Sequence, residues 1–496
     1  MLEAFASALD LLFKPLPLAM LFTGVTGGII VGALPGLTAT MGVALLVPFS
    51  FGLPPVPGII MLLGLYAGAI YGGSVSAILI RTPGTPSAAA TVIDGYPLFL
   101  KGEGGRALGI ATLASVTGGA VSVILLVSIS PVLSKFALSF SAPEYFALAI
   151  FGLTIIASIS SDSMVKGLMS GFLGLLIASA GLDPIGGYVR FTFGRVELMS
   201  GVPFIPTLIG LFAVAEAFAQ FERLTEGKKV TERLTNLIPS LADIKKVWGI
   251  LVKSWFIGTF IGALPGAGGD IASFVCYNEA KRSSKHPEKF GKGVIEGVAA
   301  AEAGNNASTG GALIPTLSLG VPGDSVTAII IGALMIQGLR PGPLLFRDHL
   351  DIVVALFIGF FLANIFMGVF GLAGAGFLAK LVSLSKRMLI PIIMVLSIVG
   401  AYAMNNLLFD VGLMLLFGVA GYLMQKIGMP PGPVVLALIL GPMAEAEFRR
   451  AIAMSYGDFT IFFTRPISLT LLVLSVASVV GTFLRQRKFN QVQNKG

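Results

Sequence analysis

Asp270, Glu302, Asn305, Asn306 and Asp324 are carboxylates and amides set among apolar residues, in the stretches GALPGAGGD (Gly262 to Asp270), EGVAAAEAGNNASTGG (from Glu296) and GVPGDSVTAI (Gly320 to Ile329). An ionisable group held in hydrocarbon costs about 3 kcal/mol or more and commonly marks a cation or proton path. Oxygens of Asp270, Glu302, Asn305 and Asn306, with nearby carbonyls, would suit Na+; a carboxylate alone could carry a proton. Glu302 could equally be an interhelical hydrogen-bond acceptor, and Glu296, close to the loop at Lys292, reads as interfacial. A second set of residues prefers the opposite charge. Thr38, Thr40, Thr82, Thr85, Ser87, Ser325 and Thr327 follow Gly/Pro interruptions and carry hydroxyls that can donate to an anion. Beside them Gly36, Gly84, Gly266, Gly268, Gly269 and Gly323 leave backbone amides uncovered. Arg81 could bind a solute carboxylate or satisfy carbonyls freed by the break next to it.

The elements that hold these groups are membrane helices. Of 496 residues, 55% are hydrophobic and 12% charged, and the mean hydropathy is +0.91, too apolar for a water-soluble core of this size. Apolar stretches of roughly 17 to 25 residues span a bilayer as helices, and Leu16–Leu34, Leu108–Val132, Phe146–Ile159, Leu168–Leu182, Ile352–Leu378, Leu389–Met404, Leu407–Met424 and Ile467–Leu484 read that way. The fold expected is an all-α polytopic membrane protein of about 10 to 13 spans or half-spans, several broken by glycine or proline. The net charge of +8 lies in short loops, as in loops retained on the cytoplasmic side, so it points to the bilayer and not to nucleic acid. One cysteine, Cys276, excludes an intramolecular disulfide, and two histidines make a zinc site a poor fit. No cofactor is implied beyond a coupling ion. The first fifteen residues lack a basic leader and read as a short interfacial helix.

The breaks come in pairs. GALPG occurs at Gly32–Gly36 and at Gly262–Gly266, RTPGTPSAAA (Arg81 to Ala90) parallels GVPGDSVTAI, a GLM at Gly167 matches one at Gly412, and GLFAVAEAF (from Gly210) answers GPMAEAEF (from Gly441). The order is kept at offsets of about 230 to 247, the mark of a duplication. The organisation expected is a first transmembrane repeat over 1–221, a charged cytoplasmic linker over 222–247, a second repeat over 248–484 and a basic tail over 485–496. Around GALPGAGG, two pieces of about fifteen residues each reach only two-thirds of a 30 Å core, and basic loops flank them. A re-entrant hairpin from the cytoplasmic side fits that pattern. The matching first-half segment ends in FGLPPVP (Phe51 to Pro57), without a basic residue, which places its open end on the other face and relates the repeats by inversion.

Backbone that leaves the helix at membrane depth survives only where protein or a wet cavity satisfies it. A half-helix beginning after such a break presents about half a positive charge and free amides, a setting for a carboxylate. A single Gly-Pro pair could merely kink a helix for packing; two kinds of break, each duplicated and each followed by hydroxyls, ask for an anionic solute. No Walker loop and no nucleophile elbow occurs in the sequence. An anion channel would use the same helix termini, and an intramembrane enzyme would need a nucleophile facing a base.

GALPGLTATMGVALLVPFSFGLPP, GALPGAGGDIASFVCY, RTPGTPSAAATVIDGYPL and the block from Glu302 to Phe346 resemble the large membrane subunit of the tripartite tricarboxylate transporters, the TctA family, over essentially the whole chain. The resemblance implies a secondary active transporter in a bacterial inner membrane, not an enzyme. It implies work with a small TctB-like membrane subunit and a TctC-like periplasmic solute-binding protein. It further implies uptake of citrate or another carboxylate with Na+ or H+, by elevator-type movement of a domain holding both hairpins. A stand-alone carboxylate carrier is the other form such a chain could take.

Overall fold

The computed structural model describes residues 2–159, 163–183, 186–222, 234–382 and 386–493. Arg223, Lys228, Lys229 and Arg233 of the linker, Asp162, and the last three residues of the tail lie outside them. The first half runs through α1 (Leu2–Leu12), α2 (Pro15–Ala33), α3 (Ala39–Phe51), α4 (Pro55–Ile80), α5 (Ala89–Leu100), α6 (Gly104–Ala137), α7 (Ala142–Ile159) and α8 (Met164–Ala178). A two-residue antiparallel pair, β1 (Gly181–Leu182) with β2 (Val189–Arg190), then leads to α9 (Phe204–Glu222). The second half comprises α10 (Leu241–Gly262), α11 (Gly268–Ser283), α12 (Ile295–Leu319), α13 (Ser325–Ile336), α14 (Leu350–Ala373), α15 (Lys386–Asn405), α16 (Leu408–Lys426), α17 (Gly432–Met454) and α18 (Pro466–Gln493).

Seven of these helices are long and apolar enough to cross a membrane, with five shorter apolar helices beside them, and large side chains such as Phe22, Phe172 and Leu416 are exposed on the outside. The chain is a multi-pass membrane protein. Several boundaries differ from the sequence reading, among them one at the linker and one after α8. The helix before the second pentapeptide, α10, has 22 residues and not about fifteen, because Ser240 and Asp243 form a reciprocal cap that carries helix into the linker's last residues, Lys245 and Lys246 included. The stretch Leu168–Leu182 stops being helical after Ala178, where Gly181 takes a positive φ of 118°.

Helix by helix, α2 to α9 and α10 to α17 follow the same order, and the packing between them is reciprocal. α2 lies along α4 as α10 lies along α12; α12 packs on α6 as α4 packs on α14; α17 packs on α7 and α8 as α9 packs on α15 and α16. The start of α2 at Lys14 and the turn after α3 at Pro54 to Pro57 lie beside Asp351 and Ile352. The start of α10 lies with the linker: Lys246 pairs with Glu296 at 3.0 Å, and Arg106 bonds Asp243.

α4 and α12 are enclosed along nearly their whole length. Glycine makes the enclosure tight. Gly24, Gly28 and Gly32 recur once per turn on α2, and a methyl group on any of them would run into the backbone of Met61, Leu65 or Ala69 on α4. In the second half Gly258 and Gly262 of α10 meet the backbone of Gly304 and Ser308 on α12 in the same way. Lipid tails are as apolar as leucine, so backbone approach through small residues is what holds such helices together. α12 is the polar member of the pair, with Glu302, Asn305, Asn306, Ser308 and Thr309 all buried. Full enclosure is what makes that composition tolerable at membrane depth.

Candidate functional site

The helices end at Ala33 and Gly262, and both pentapeptides then turn at a glycine of positive φ, 93° at Gly36 and 83° at Gly266, a conformation that side chains with a Cβ avoid. The second pair of breaks is equally alike. α4 ends at Arg81 and α12 at Gly320, both left-handed, with φ of 60° and 72°. Their N–H groups bond the carbonyls of Ser76 and Pro315, five residues back in each case. Each break docks against the pentapeptide of its own half. A methyl group on Gly84 would strike the Gly32 carbonyl, and the Gly266 N–H donates to the Gly323 carbonyl at 2.7 Å. Gly84 and Gly323 thus close the backbone crossing, behind the cavity wall.

The chain restarts as helix on the far side of each break, and all of these starts face one cavity of about 360 Å³. Thr38 and Thr40 open α3, Thr85 and Ser87 lead into α5, Gly268, Gly269 and Asp270 open α11, and Asp324 and Ser325 open α13. Of the residues singled out from the sequence, Thr38, Thr40, Thr85, Gly266, Gly268, Gly269, Asp270 and Ser325 therefore meet in one wall. Thr38 Oγ1 accepts from the Met41 N–H at 3.1 Å as the α3 cap, so the Thr38 hydroxyl proton is left to donate elsewhere. Thr85 and Ser87 hydroxyls lie 3.1 Å apart. Asp270 is exposed toward the cavity.

Other residues fall elsewhere. Gly36 is pinned from outside the cavity by Gln220, whose Nε2 donates to its carbonyl at 2.6 Å. Arg81 is exposed, its guanidinium 5.9 Å from the centre of the Tyr96 ring, and does not line the cavity. Glu302 is buried one layer deeper, where Thr91 donates to its Oε1 and Ser115 to its Oε2 at 3.1 Å. Asn306 Nδ2 donates to the Glu302 carbonyl at 3.2 Å. Asn305 is fully buried with neither amide atom paired, its Oδ1 2.6 Å from where a Cβ on Gly269 would stand. Asn305 thus lies against Gly269, the residue before Asp270 at the α11 tip, while Asn306 is bonded to the Glu302 carbonyl.

Asp324, singled out as a buried acid, caps α13, accepting from the Thr327 N–H at 2.8 Å, and its other oxygen accepts from Tyr66 OH at 2.5 Å. Some of the site was not singled out from the sequence. Tyr66 is flanked by Leu65 and Ala67 on α4, and nothing in that local sequence signals a partner 258 residues away. A third interruption, MPPGP at Met429–Pro433, starts α17 at the cavity with Pro430, Pro431 and Gly432; its proline-glycine composition was a readable signal. Phe212 lines the wall from a π-helical stretch, Ile209–Val214, inside α9, a feature that commonly accompanies functional sites. Among the described residues no lysine or arginine lines this cavity.

A model of the tripartite tricarboxylate transporter TctA family matches residues 18–436. The chain is 40% identical over 470 residues, 95% of its own length and 94% of the relative's, to an uncharacterized 52.8 kDa protein of Agrobacterium vitis from the TAR-I ttuC' 3' region. A second uncharacterized protein of Agrobacterium vitis, from the TAR-II ttuC' 3' region, is 38% identical over 227 residues, 46% of this chain and 94% of the relative. No solved structure matches.

Proposed function

The chain belongs to the tripartite tricarboxylate transporter TctA family, and on that premise we propose that it is the carrier that moves a small carboxylate across a bacterial inner membrane. A TctC-like periplasmic binding protein delivers the solute, a TctB-like subunit accompanies the carrier, and Na+ or H+ supplies the driving force. The observation that carries this reading is the convergence of five helix starts, those of α3, α5, α11, α13 and α17, on one cavity that no basic side chain lines among the described residues.

Charge arithmetic supports coupling. Five helix N-termini at about half a charge each sum to about +2.5. Asp270 and Asp324, when ionised, bring the wall back near neutrality, and an anion then gains little. Neutralising one carboxylate, by a proton or by Na+ seated at Asp270 and Asn305, tips the wall positive and admits the solute. Glu302 and Asn306, one layer behind, are a second station for the cation. Gly36, Gly84, Gly266, Gly268, Gly269 and Gly323 act through the backbone they shape, and Thr38, Thr40, Thr85 and Ser325 donate to the solute.

The repeats are inverted in this reading, since the first hairpin opens beside Asp351 and the second beside the linker. α7, α8, α17 and α18 on one side, and α9, α15 and α16 on the other, meet the centre chiefly through α3 and α13. They form the scaffold against which the body holding both hairpins moves. Flux of mono-, di- and tricarboxylates into reconstituted vesicles, with and without a sodium or proton gradient, tests the proposal. Saturable uptake that follows one gradient is expected, and Asp270→Asn with Glu302→Gln should remove the ion dependence. Unchanged ion dependence in both variants would show the cation assignment to be wrong, and non-saturating flux would mark a channel.

A further inference from the structure

A second cavity, of about 1020 Å³, lies at the outer end of α13 and α17. Its floor is apolar, with Ile331 and Met335 from α13 and Ile439 and Leu440 from α17, while Arg340, Arg347 and Arg450 bring three guanidinium groups to its wall against one carboxylate, Glu447. Arg450 bonds Glu447 at 2.8 Å and Arg347 bonds its neighbour Asp348 at 2.7 Å. Arg340 is exposed and has no partner among the described residues.

Two placements give this cavity a meaning. First, α6 has 34 residues, about 51 Å of helix. Its start is tied to the linker through Arg106 and Asp243, and Leu138, just past its end, lines the cavity. The arginines therefore sit on the face opposite the basic linker, the outward face if the linker is cytoplasmic. Second, the same two helices wall both cavities: Val326 and Leu436 line the central one, Ile331 and Leu440 the outer one. Four to five residues of helix separate the two, about 6 to 8 Å.

We propose that the outer cavity is a receiving site for a carboxylate-bearing solute, held by Arg340 and Arg347 before the α13–α17 seam parts to admit it to the central cavity. Guanidinium groups match carboxylates in geometry, and a basic recess with apolar walls raises the local concentration of an anion. The central cavity cannot do this task unaided: it has no basic side chain, and its aspartates repel an anion until one is neutralised. This inference rests on the carrier reading, and its test has a readout independent of flux.

The single cysteine, Cys276, is buried, so Met335→Cys places the chain's one accessible thiol in the outer cavity with the arginines intact. Full-length protein in phosphatidylcholine vesicles is labelled at low salt with two methanethiosulfonates of similar size, one bearing a sulfonate and one a trimethylammonium group. Each transfers its tail to the thiolate as a mixed disulfide and releases methanesulfinate. With each rate divided by the same reagent's rate toward 2-mercaptoethanol, the anionic reagent should react about tenfold faster, citrate should slow it where sorbitol at matched ionic strength does not, and Arg340→Gln with Arg347→Gln in the same background should bring both differences to nothing. Equal normalised rates for the two reagents, or no slowing by citrate, would overturn the proposal. Protection seen only when phosphatidylglycerol is added, and not with citrate, would overturn it in favour of a lipid headgroup. Charge-selective labelling in a protein that moves no carboxylate would leave the anion site and defeat the carrier; uptake without charge selectivity would do the reverse.

Discussion

The break after α4 and the break after α12 share one backbone and differ in charge. Arg81 and Gly320 hold the same left-handed cap, but three residues past each proline-bearing turn's start the chemistry divides: Thr85 stands in the first half where Asp324 stands in the second, and at the hairpin tips Thr40 stands where Asp270 does. Backbone geometry sets how many helix starts face the cavity, and both halves contribute such starts. Side chains differ: among the described residues the acids of the cavity wall, Asp270 and Asp324, both come from the second half. Under the proposed function, an anion would be held by both halves and a cation by one.

The largest effect expected from erasing that difference is at Asp324. Asp324→Thr makes the second break resemble the first, and it removes hydrogen bonds to a charged acceptor worth about 1.5 to 3 kcal/mol each. Uptake in vesicles should fall roughly tenfold to hundredfold, with the α13 cap kept, since threonine caps α13 as Thr38 caps α3. Retention of normal, ion-dependent uptake would mean that the charge difference between halves is idle. A smaller effect is expected on the hydroxyl side. Thr38→Val with Thr85→Val removes two neutral donors, about 1 kcal/mol apiece, so the solute concentration at half-maximal uptake should rise about thirtyfold while the ion dependence stays. An unaltered half-maximal concentration would take the donors out of the site. The smallest effect, and of opposite sign, is expected at Arg81→Gly, which copies the second half into the first. Relief of a left-handed arginine should raise stability by about 1 kcal/mol, read from thermal unfolding in detergent, with uptake unchanged. Loss of uptake there would restore Arg81 as a solute ligand.

The apolar runs, the two pentapeptides, the paired proline-glycine turns and the duplicated order were legible because they are local or periodic. Hydrocarbon demands long apolar helices, and only glycine and proline break them at low cost, so composition and spacing carried most of the architecture. Thr38, Thr85, Gly268 and Asp270 could be picked out for the same reason, each being adjacent to a break. Tertiary structure alone decided the rest. It put Arg81 over Tyr96 and away from the cavity, sank Glu302 one layer behind it against Thr91 and Ser115, and joined Tyr66 to Asp324 across 258 residues. Direction of a side chain on an enclosed helix, and the identity of its neighbour from the other half, depend on how the repeats interlock; no local pattern encodes them.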